Sequence, residues 1–324
     1  MLETRERPTI EDVRRAAGII APHLALPTPL VYQPALSERI DAHVSLKLES
    51  ATPISAFKIR GGLYLVSQLD ARARASGVVT ASTGNHGQSI AYAAGVLGVP
   101  AVVVVPRAAN RDKVANIERL GARVIHEGAH YDEAHEWAAA YAAEHEMFYV
   151  DAANEPDLTA GVGTAALEVL TSQQPDTEVV IVPVGGGSGA CGWITVRDGL
   201  GSLLEIWGVQ SAQAPAAHDS WRGGQPVTRP NETMADGVAT GVGFVFTQAI
   251  LRDGLNDFVL VDDRRIEEAV VTLLESAHTL AETAGACSTA AALQEADRLR
   301  GRKVVLVISG SNITRPQLER FLAR

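Results

Sequence analysis

The feature that most constrains this chain is a regular alternation of short β-branched runs and alanine-rich windows. GVVTAS, VPAVVVVP and ARVIHEG each read as a strand, and each is followed by a stretch with helical periodicity, such as SIAYAAGVLG or YDEAHEWAAAYAAEHE. Strands that alternate with helices predict parallel sheets joined by crossover helices. Continuous apolar strands such as AVVVVP further indicate sheets that are covered on both faces.

A second series of the same kind begins near residue 157. DLTAGVGTAALEVL and RRIEEAVVTLLESAHTL read as helices, whereas EVVIVPVGGG, LLEIWGVQ and KVVLVISGSN read as strands that end in polar or glycine residues. Residues 220–237, rich in Gly, Pro and Asn, are predicted to form a long surface loop near a site. The 324 residues are long for one simple core and suit two α/β lobes.

Composition and charge exclude several classes of protein. Hydrophobic residues make up 46% of the chain, which favours a large folded interior. The net charge of −10 disfavours a nucleic-acid binder. Residues 96–106 form the longest apolar run, which is too short to cross a bilayer, and the charged start is not a signal peptide. We therefore expect a cytoplasmic protein with no membrane or nucleic-acid partner, in which Cys191 and Cys287 are buried small hydrophobic residues.

One lysine has unusual neighbours in the sequence. In SAFKIRGG, residues 55–62, Lys58 follows Phe57 and precedes a basic residue and two glycines. Most lysines are surface residues, but a lysine that is buried loses its proton more readily and can bond to a carbonyl carbon. The motif alone leaves both interpretations open.

Three clusters follow strands of the predicted sheets, where open parallel sheets bind their ligands. Residues 82–86 precede a helix whose free N–H groups favour an anion, although a plain helix cap would look the same. Residues 185–189 form a glycine-rich turn that could hold a phosphate. The same turn also meets a dinucleotide fingerprint, with Glu205 as its acidic residue. In the third cluster, Ser309 ends the last strand, either as a plain turn or as a hydroxyl for a ring heteroatom.

The order of these motifs resembles one family of enzymes. The motifs SAFKIRGG, STGNHG, PVGGG and SGSN occur together, and PDLTAGVGTAALEVL, ETMADGV and AETAGACSTAAAL are similar to further family segments. The chain resembles the fold-type II pyridoxal-phosphate enzymes, in the branch of threonine and serine dehydratases and serine racemases. This resemblance covers the chain from Glu11 onward, and it displaces the dinucleotide interpretation.

The resemblance implies an α/β fold like that of the tryptophan synthase β-subunit, with two open, twisted parallel-sheet lobes and the cofactor in the cleft between them. A small domain would span residues 53–148, and residues 1–52 together with 149–324 would form the large domain that binds pyridoxal 5'-phosphate. Members of the family are commonly dimers, so a homodimer is expected.

The resemblance also implies roles for individual residues. Lys58 would form the Schiff base with the cofactor and then act as the base at the substrate α-carbon, and Thr83 would work on the opposite face. The cofactor-binding residues would be Phe57, Lys58, Asn85, Gly185, Gly186, Gly187, Ser188, Gly189 and Ser309. The substrate carboxylate would be bound by Ser82, Thr83, Gly84, Asn85 and His86.

Some positions depart from the family pattern. Thr83 stands where serine racemases place a serine, which ranks racemisation below elimination. Gln210 and Ala216 replace the acidic residues that bind a divalent cation in many relatives, and the histidines lack metal-ligand spacing, so no metal site is expected. VDAANEPD replaces a His-Pro pair, which predicts a changed pocket for a bulkier or more polar substrate. His135 and Thr240 fall near positions that touch substrate side chains in relatives.

The activity that we expect is elimination of water from a β-hydroxy amino acid (threonine, serine or 3-hydroxyaspartate), which yields a 2-oxo acid and ammonia. The sequence runs only to Arg324 after the Ser309 motif, so a catabolic enzyme without a regulatory domain is expected. The alternatives are an amino-acid racemase of the same fold, a dehydratase of hydroxyectoine breakdown, a non-catalytic amino-acid or cofactor-binding protein, and a nucleotide-dependent oxidoreductase.

Overall fold

The computed structural model of the chain describes residues 6–323. Two sheets organise it. The larger has six strands in the order β1-β2-β10-β7-β8-β9, and the smaller has four in the order β5-β4-β3-β6. The strands are β1 Leu30–Tyr32, β2 His43–Leu48, β3 Val78–Ala81, β4 Ala101–Val105, β5 Arg123–His126, β6 Phe148–Tyr149, β7 Val179–Pro183, β8 Glu205–Ser211, β9 Asp257–Val261 and β10 Lys303–Ile308.

Helices connect and cover these strands. They are α1 Ile10–Ile20, α2 Pro34–Ile40, α3 Lys58–Ser67, α4 Ala71–Ser76, α5 Asn85–Leu97, α6 Arg111–Arg119, α7 Tyr131–Glu144, α8 Pro156–Glu168, α9 Ser188–Leu200, α10 Ala216–Gly223, α11 Val245–Gly254, α12 Asp263–Ala277, α13 Thr283–Gln294, α14 Ala296–Leu299 and α15 Arg315–Leu322. Every neighbouring pair of strands is parallel except β1 and β2, which are antiparallel at one edge. The prediction of two α/β parallel sheets is therefore confirmed, with one antiparallel edge strand added.

Both sheets are covered on their two faces, as the apolar strands require. In the large sheet, one face packs against α8 and α9, and the other packs against α12 and α13. In the small sheet, α7 covers one face, and α5 with α6 covers the other. Cys191 and Cys287 lie inside the two cores of the large sheet, which confirms their interpretation as buried small residues.

In the sequence, the segment that forms the small sheet is inserted between segments of the large sheet. The small sheet uses strands from residues 78–149, whereas the large sheet uses strands from both sides of that segment. The predicted domain boundaries at residues 53 and 149 stay a proposal. Among residues 6–323, no helix is long and apolar enough to cross a membrane.

The predicted loop at residues 220–237 needs correction. Its first four residues belong to α10, and Asp236–Val238 form a short 3-10 helix. Within α10, Ser220 is buried and its hydroxyl donates to the carbonyl oxygen of Ala216 at 2.6 Å, so this polar residue is satisfied inside the helix. Only the segment between these helices is irregular and largely exposed.

Candidate active site

Lys58 is the first residue of α3 and is half-buried. Its Nζ donates to Ser188 Oγ at 3.1 Å, which brings the lysine to the start of α9. Burial lowers the pKa of Lys58 from 10.5 to about 8, and the charge of Asp151 partly opposes this shift. Near neutral pH the amine is therefore much closer to losing its proton than a surface lysine would be.

The chain around Lys58 is tied to the end of the large sheet. The Phe57 N–H donates to the Ser309 carbonyl oxygen at 3.0 Å, and Ala56 forms an isolated bridge with Gly310. Ser309 itself follows β10 directly and is buried. Phe57 and Ser309, which are 252 positions apart in the sequence, thus meet through the backbone.

The residues after Lys58 serve packing and charge balance. Arg60 is fully buried and binds both oxygens of Glu49, with its Nε at 2.7 Å, and it also binds Glu168 at 2.7 Å. At Gly61 a Cβ would lie 2.8 Å from the Leu158 carbonyl oxygen, so glycine lets α3 approach α8 closely. The basic residue and the glycines of the motif therefore hold the helix that carries Lys58.

The loop at residues 82–86 joins β3 to α5 at the carboxyl edge of the small sheet. Ser82, Thr83, Gly84 and Asn85 are half-buried, and the helix begins at Asn85 with its first N–H groups unpaired inside the helix. Such a terminus favours a carboxylate. Among the described residues, the Thr83 side chain forms no hydrogen bond, and the loop provides no contact that assigns it a role.

His86 is buried and neutral. Its Nε2 lies 3.0 Å from Thr80 Oγ1, which donates to the Val150 carbonyl oxygen at 2.9 Å. Since the Thr80 proton is used there, Nε2 carries the imidazole proton and Nδ1 is an acceptor; within residues 6–323 Nδ1 has no hydrogen-bond partner. Burial lowers the pKa of His86 to about 3, so this residue is not a cation at neutral pH.

The glycine-rich turn at residues 185–189 leads from β7 into α9. Gly187 has a φ of +97°, and a Cβ there would lie 2.9 Å from Thr247 Cβ. A Cβ on Gly186 would lie 2.9 Å from Ala153 Cβ, and one on Gly185 would lie 2.5 Å from the Gly237 carbonyl oxygen. The turn needs glycine for both its conformation and its space, and it ends in the N-terminus of a 13-residue helix, which suits a phosphate.

Asn85 is held by two residues from the large sheet side of the chain. Its Nδ2 donates to Glu282 Oε1 at 2.6 Å, and its Oδ1 accepts from Asn312 Nδ2 at 2.7 Å. These two contacts orient the amide and leave one Nδ2 proton for a ligand. Burial raises the pKa of Glu282 to about 6, against the lowering effect of the Asn85 hydrogen bond.

Sequence reasoning missed two carboxylates of this site. Glu282 lies in AETAGACSTAAAL, which was noted only as a family segment, and its polar character inside an apolar window was the available signal. Asp151 lies two residues after the end of β6, and its position after a strand was the signal there. Burial works to raise the pKa of Asp151, but hydrogen bonds from Ala153 and Asn154 hold it below the ordinary value.

The structure also places the two predicted substrate-contacting residues, His135 and Thr240. His135, on α7, acts on Asp151 through its charge and packs edge-on against the Tyr149 ring at 5.5 Å. Thr240 Oγ1 accepts from Gln210 Nε2 at 3.2 Å. Gln210 is fully buried, and its Oε1 accepts from the backbone N–H groups of Ala217 and His218, each at 3.1 Å. In the described part of the chain, no group of three His, Cys, Asp or Glu side chains is placed to hold a metal ion.

The position of Glu205 contradicts the dinucleotide interpretation. Glu205 is the first residue of β8, at the edge of the sheet opposite the glycine-rich turn, and it pairs with Arg302 at 2.8 Å. The half-buried amine of Lys58 beside the turn, the helix N-terminus that follows the turn and the oriented amide of Asn85 are groups that suit pyridoxal phosphate. Together, the fold and this site define the class of enzymes that use that cofactor.

The comparison with known families agrees. Residues 22–310 match the family described as pyridoxal-phosphate dependent enzyme, and the chain belongs to this family. It is 36% identical to an L-threonine ammonia-lyase of Thermotoga maritima over 315 residues, which cover 97% of this chain and 78% of the relative. It is 32% identical to an L-threo-3-hydroxyaspartate ammonia-lyase of Saccharomyces cerevisiae, with 94% of each chain covered.

Among solved structures, maize serine racemase superimposes with a TM-score of 0.91 at 28% identity, and 98% of each chain is covered. These findings confirm four predictions made from the sequence: the family, the fold class, the cofactor and the enzymatic nature of the protein.

Proposed function

We propose that this protein is an ammonia-lyase that converts a β-hydroxy amino acid of the threonine, serine or 3-hydroxyaspartate class to a 2-oxo acid and ammonia. The single observation that carries the proposal is the position of Lys58, half-buried at the start of α3 with its Nζ 3.1 Å from Ser188 Oγ beside the glycine-rich turn. The names of the two ammonia-lyase relatives support the same reaction. The catabolic type and a homodimer stay predictions.

The proposed roles of the side chains follow from their positions. When bound, pyridoxal phosphate withdraws electrons from the bonds at the α-carbon of an amino acid. The turn formed by Gly185, Gly186, Gly187, Ser188 and Gly189 would hold the phosphate. Phe57 would flank the ring, Ser309 would face its nitrogen, and the Asn85 amide would bind its hydroxyl.

The substrate carboxylate would bind at the N-terminus of α5, in the loop of Ser82, Thr83, Gly84, Asn85 and His86. The Ser82 N–H already donates to the Val104 carbonyl oxygen, and the Gly84 N–H donates to Ser82 Oγ. The backbone donors for the carboxylate would therefore be the N–H groups of Thr83, Asn85 and His86. Lys58, whose pKa of about 8 permits the neutral amine, would take the α-proton. The β-hydroxyl then leaves with a proton as water. The enamine that is released takes up water in solution and yields the 2-oxo acid and ammonia.

The test is an assay of the holoenzyme with L-threonine, L-serine and L-threo-3-hydroxyaspartate, in which 2-oxo acid and ammonia are measured together. Equal release of both products from at least one amino acid supports the proposal. Lys58→Ala should abolish the release and the visible absorbance of the lysine-bound cofactor, whereas Lys303→Ala, at an exposed strand end, should change neither.

A racemase is the second candidate, and the likeness to maize serine racemase favours it. It requires a second acid or base on the opposite face of the α-carbon, a role for which only the Thr83 hydroxyl was predicted. Chiral analysis of the same reactions separates the two functions, because D-amino acid that accumulates without ammonia would overturn the lyase proposal.

A further inference from the structure

The carboxylate of Asp151 lies at the proposed site and has no part in the reaction proposed above. It follows β6, which pairs in parallel with β3, so it lies at the same sheet edge as the loop at residues 82–86. Two residues further on, Ala153 packs against the glycine-rich turn, 2.9 Å from the Cβ position of Gly186. The segment from Asp151 to Ala153 therefore borders the space between the two predicted anion-binding loops.

The environment of Asp151 keeps it ionised. Its Oδ1 accepts from the backbone N–H groups of Ala153 at 2.9 Å and Asn154 at 3.0 Å, and its Oδ2 accepts from Asn154 Nδ2 at 3.0 Å. Three N–H donors stabilise a carboxylate far better than a carboxylic acid. Although burial opposes ionisation, the pKa of Asp151 is below its ordinary value.

The negative charge of Asp151 influences other residues of the proposed site. It acts on Lys58 and on His86, raising the pKa of each, and it also acts on Tyr149. In return, the His135 side chain on α7 contributes to lowering the pKa of Asp151. Of the described residues, none with a positive charge is hydrogen-bonded to Asp151, so its charge is not neutralised by a direct ion pair. One lone-pair position on Oδ2 also remains for a donor.

The residues beside this carboxylate are small. Ala152 is half-buried and Ala153 is buried, so neither fills the space next to Asp151 with a bulky side chain. An amino acid whose carboxylate lies at the α5 N-terminus and whose α-carbon lies near Lys58 would place its side chain along this segment. A second substrate carboxylate there would meet a like charge inside the protein, where screening is weak.

We propose that Asp151 selects the substrate by the charge of its side chain, so that the site accepts neutral or cationic β-substituted amino acids and rejects those with a second carboxylate. This inference rests on the proposed function, because it concerns the same pocket. Within the class proposed above, it favours threonine and serine over 3-hydroxyaspartate.

The test compares the binding of L-aspartate and L-asparagine, which differ by one charge, to the holoenzyme by titration of the cofactor absorbance. The wild-type protein should bind L-asparagine at least about tenfold more tightly than L-aspartate, as expected for like charges in a weakly screened site. In Asp151→Asn, the ratio should fall to about threefold or less, and L-2,3-diaminopropionate should bind more weakly than it does to the wild type.

Asp297→Asn is the matched control, since it removes the same charge from a side chain that is 96% exposed, and it should leave the ratio unchanged. Equal wild-type affinities, or a ratio that Asp151→Asn does not change, would overturn the inference. Neither L-aspartate nor L-asparagine carries a β-hydroxyl, so neither can undergo the proposed elimination. Their binding therefore tests the charge selection separately from the lyase assay. If the variant does not fold, the wild-type ratio alone decides, because tight binding of L-aspartate contradicts rejection by charge.

Discussion

Asn85 and Glu282 are joined by a hydrogen bond of 2.6 Å although 197 residues separate them in the chain. Asn85 begins α5 beside the small sheet, and Glu282 precedes α13 beside the large sheet. Glu282 is also anchored by its own N–H, which donates to the Gly310 carbonyl oxygen at 3.1 Å. The contact therefore couples the two halves of the molecule at the residue that we expect to bind the cofactor ring.

The pH dependence of stability should report on Glu282. Burial raises its pKa to about 6, so between the ordinary value of 4.5 and 6 the folded state holds a proton that the unfolded state has lost. Stability therefore falls as pH rises through this window, by on the order of 2 kcal/mol. Glu282→Gln should remove this loss. In urea unfolding with saturating cofactor, the free energy of unfolding of the variant should therefore increase relative to that of the wild type from pH 4.5 to 7.

Glu268→Gln, at an exposed position of α12, is the control for that experiment and should track the wild type across the same range. Parallel stability curves for wild type and Glu282→Gln would contradict the raised pKa.

Removing the Arg60 side chain should strongly destabilise the protein. Arg60→Met leaves Glu49 and Glu168 in the interior with Lys47 as the remaining cation, and a buried charge that loses its partner typically costs about 3–5 kcal/mol. Urea unfolding measures the loss. Arg72→Met breaks an exposed pair with Glu146 and should have little effect, so equal effects of the two substitutions would count against the buried network.

The glycine-rich turn should tolerate no side chain at Gly187. Gly187→Ala places a methyl group 2.9 Å from Thr247 Cβ at a φ of +97°, and the turn must shift to relieve the contact. We expect cofactor affinity to fall by at least about tenfold, since the phosphate-binding N–H groups move with the turn. Gly201→Ala has a similar positive φ of +63° but meets nothing within 4 Å, so it should leave cofactor affinity unchanged in the same fluorescence titration.

Removal of divalent cations should not change the stability of this protein. At the position where many relatives bind a cation, the Gln210 amide connects the surrounding segments through hydrogen bonds instead. Its Nε2 donates to the Val238 carbonyl oxygen at 3.3 Å and to Thr240 Oγ1 at 3.2 Å. We expect EDTA to leave the melting temperature unchanged. Gln210→Glu should lower it, since an oxygen then faces the Val238 carbonyl oxygen, and Mg²⁺ should partly restore it.

Gln225→Glu, on an exposed loop, adds the same charge and should show neither effect. A melting temperature of the wild type that drops in EDTA would show that a cation contributes after all.

The sequence by itself determined the local structure and the types of chemistry. The alternation of apolar runs and helical windows predicted β3 to β8, β10 and the helices between many of these strands, because side-chain periodicity is a local property. It missed β1, β2 and β9, although HVSLKL and DFVLV are rich in strand-forming residues. The family resemblance that the motifs around Lys58, Asn85 and Gly187 carry implied the cofactor before any geometry was known.

Only the tertiary structure decided which distant residues meet. Glu282 reaches Asn85, Arg60 reaches Glu168 across 108 residues, and Asp151 acts on Lys58, yet none of these pairs leaves a trace in local spacing. The packing of two sheets and their helices sets these contacts, and burial there lowers the pKa of Lys58 and raises that of Glu282. The chemistry of this site therefore depends on a low-dielectric interior that exists only after the chain has folded.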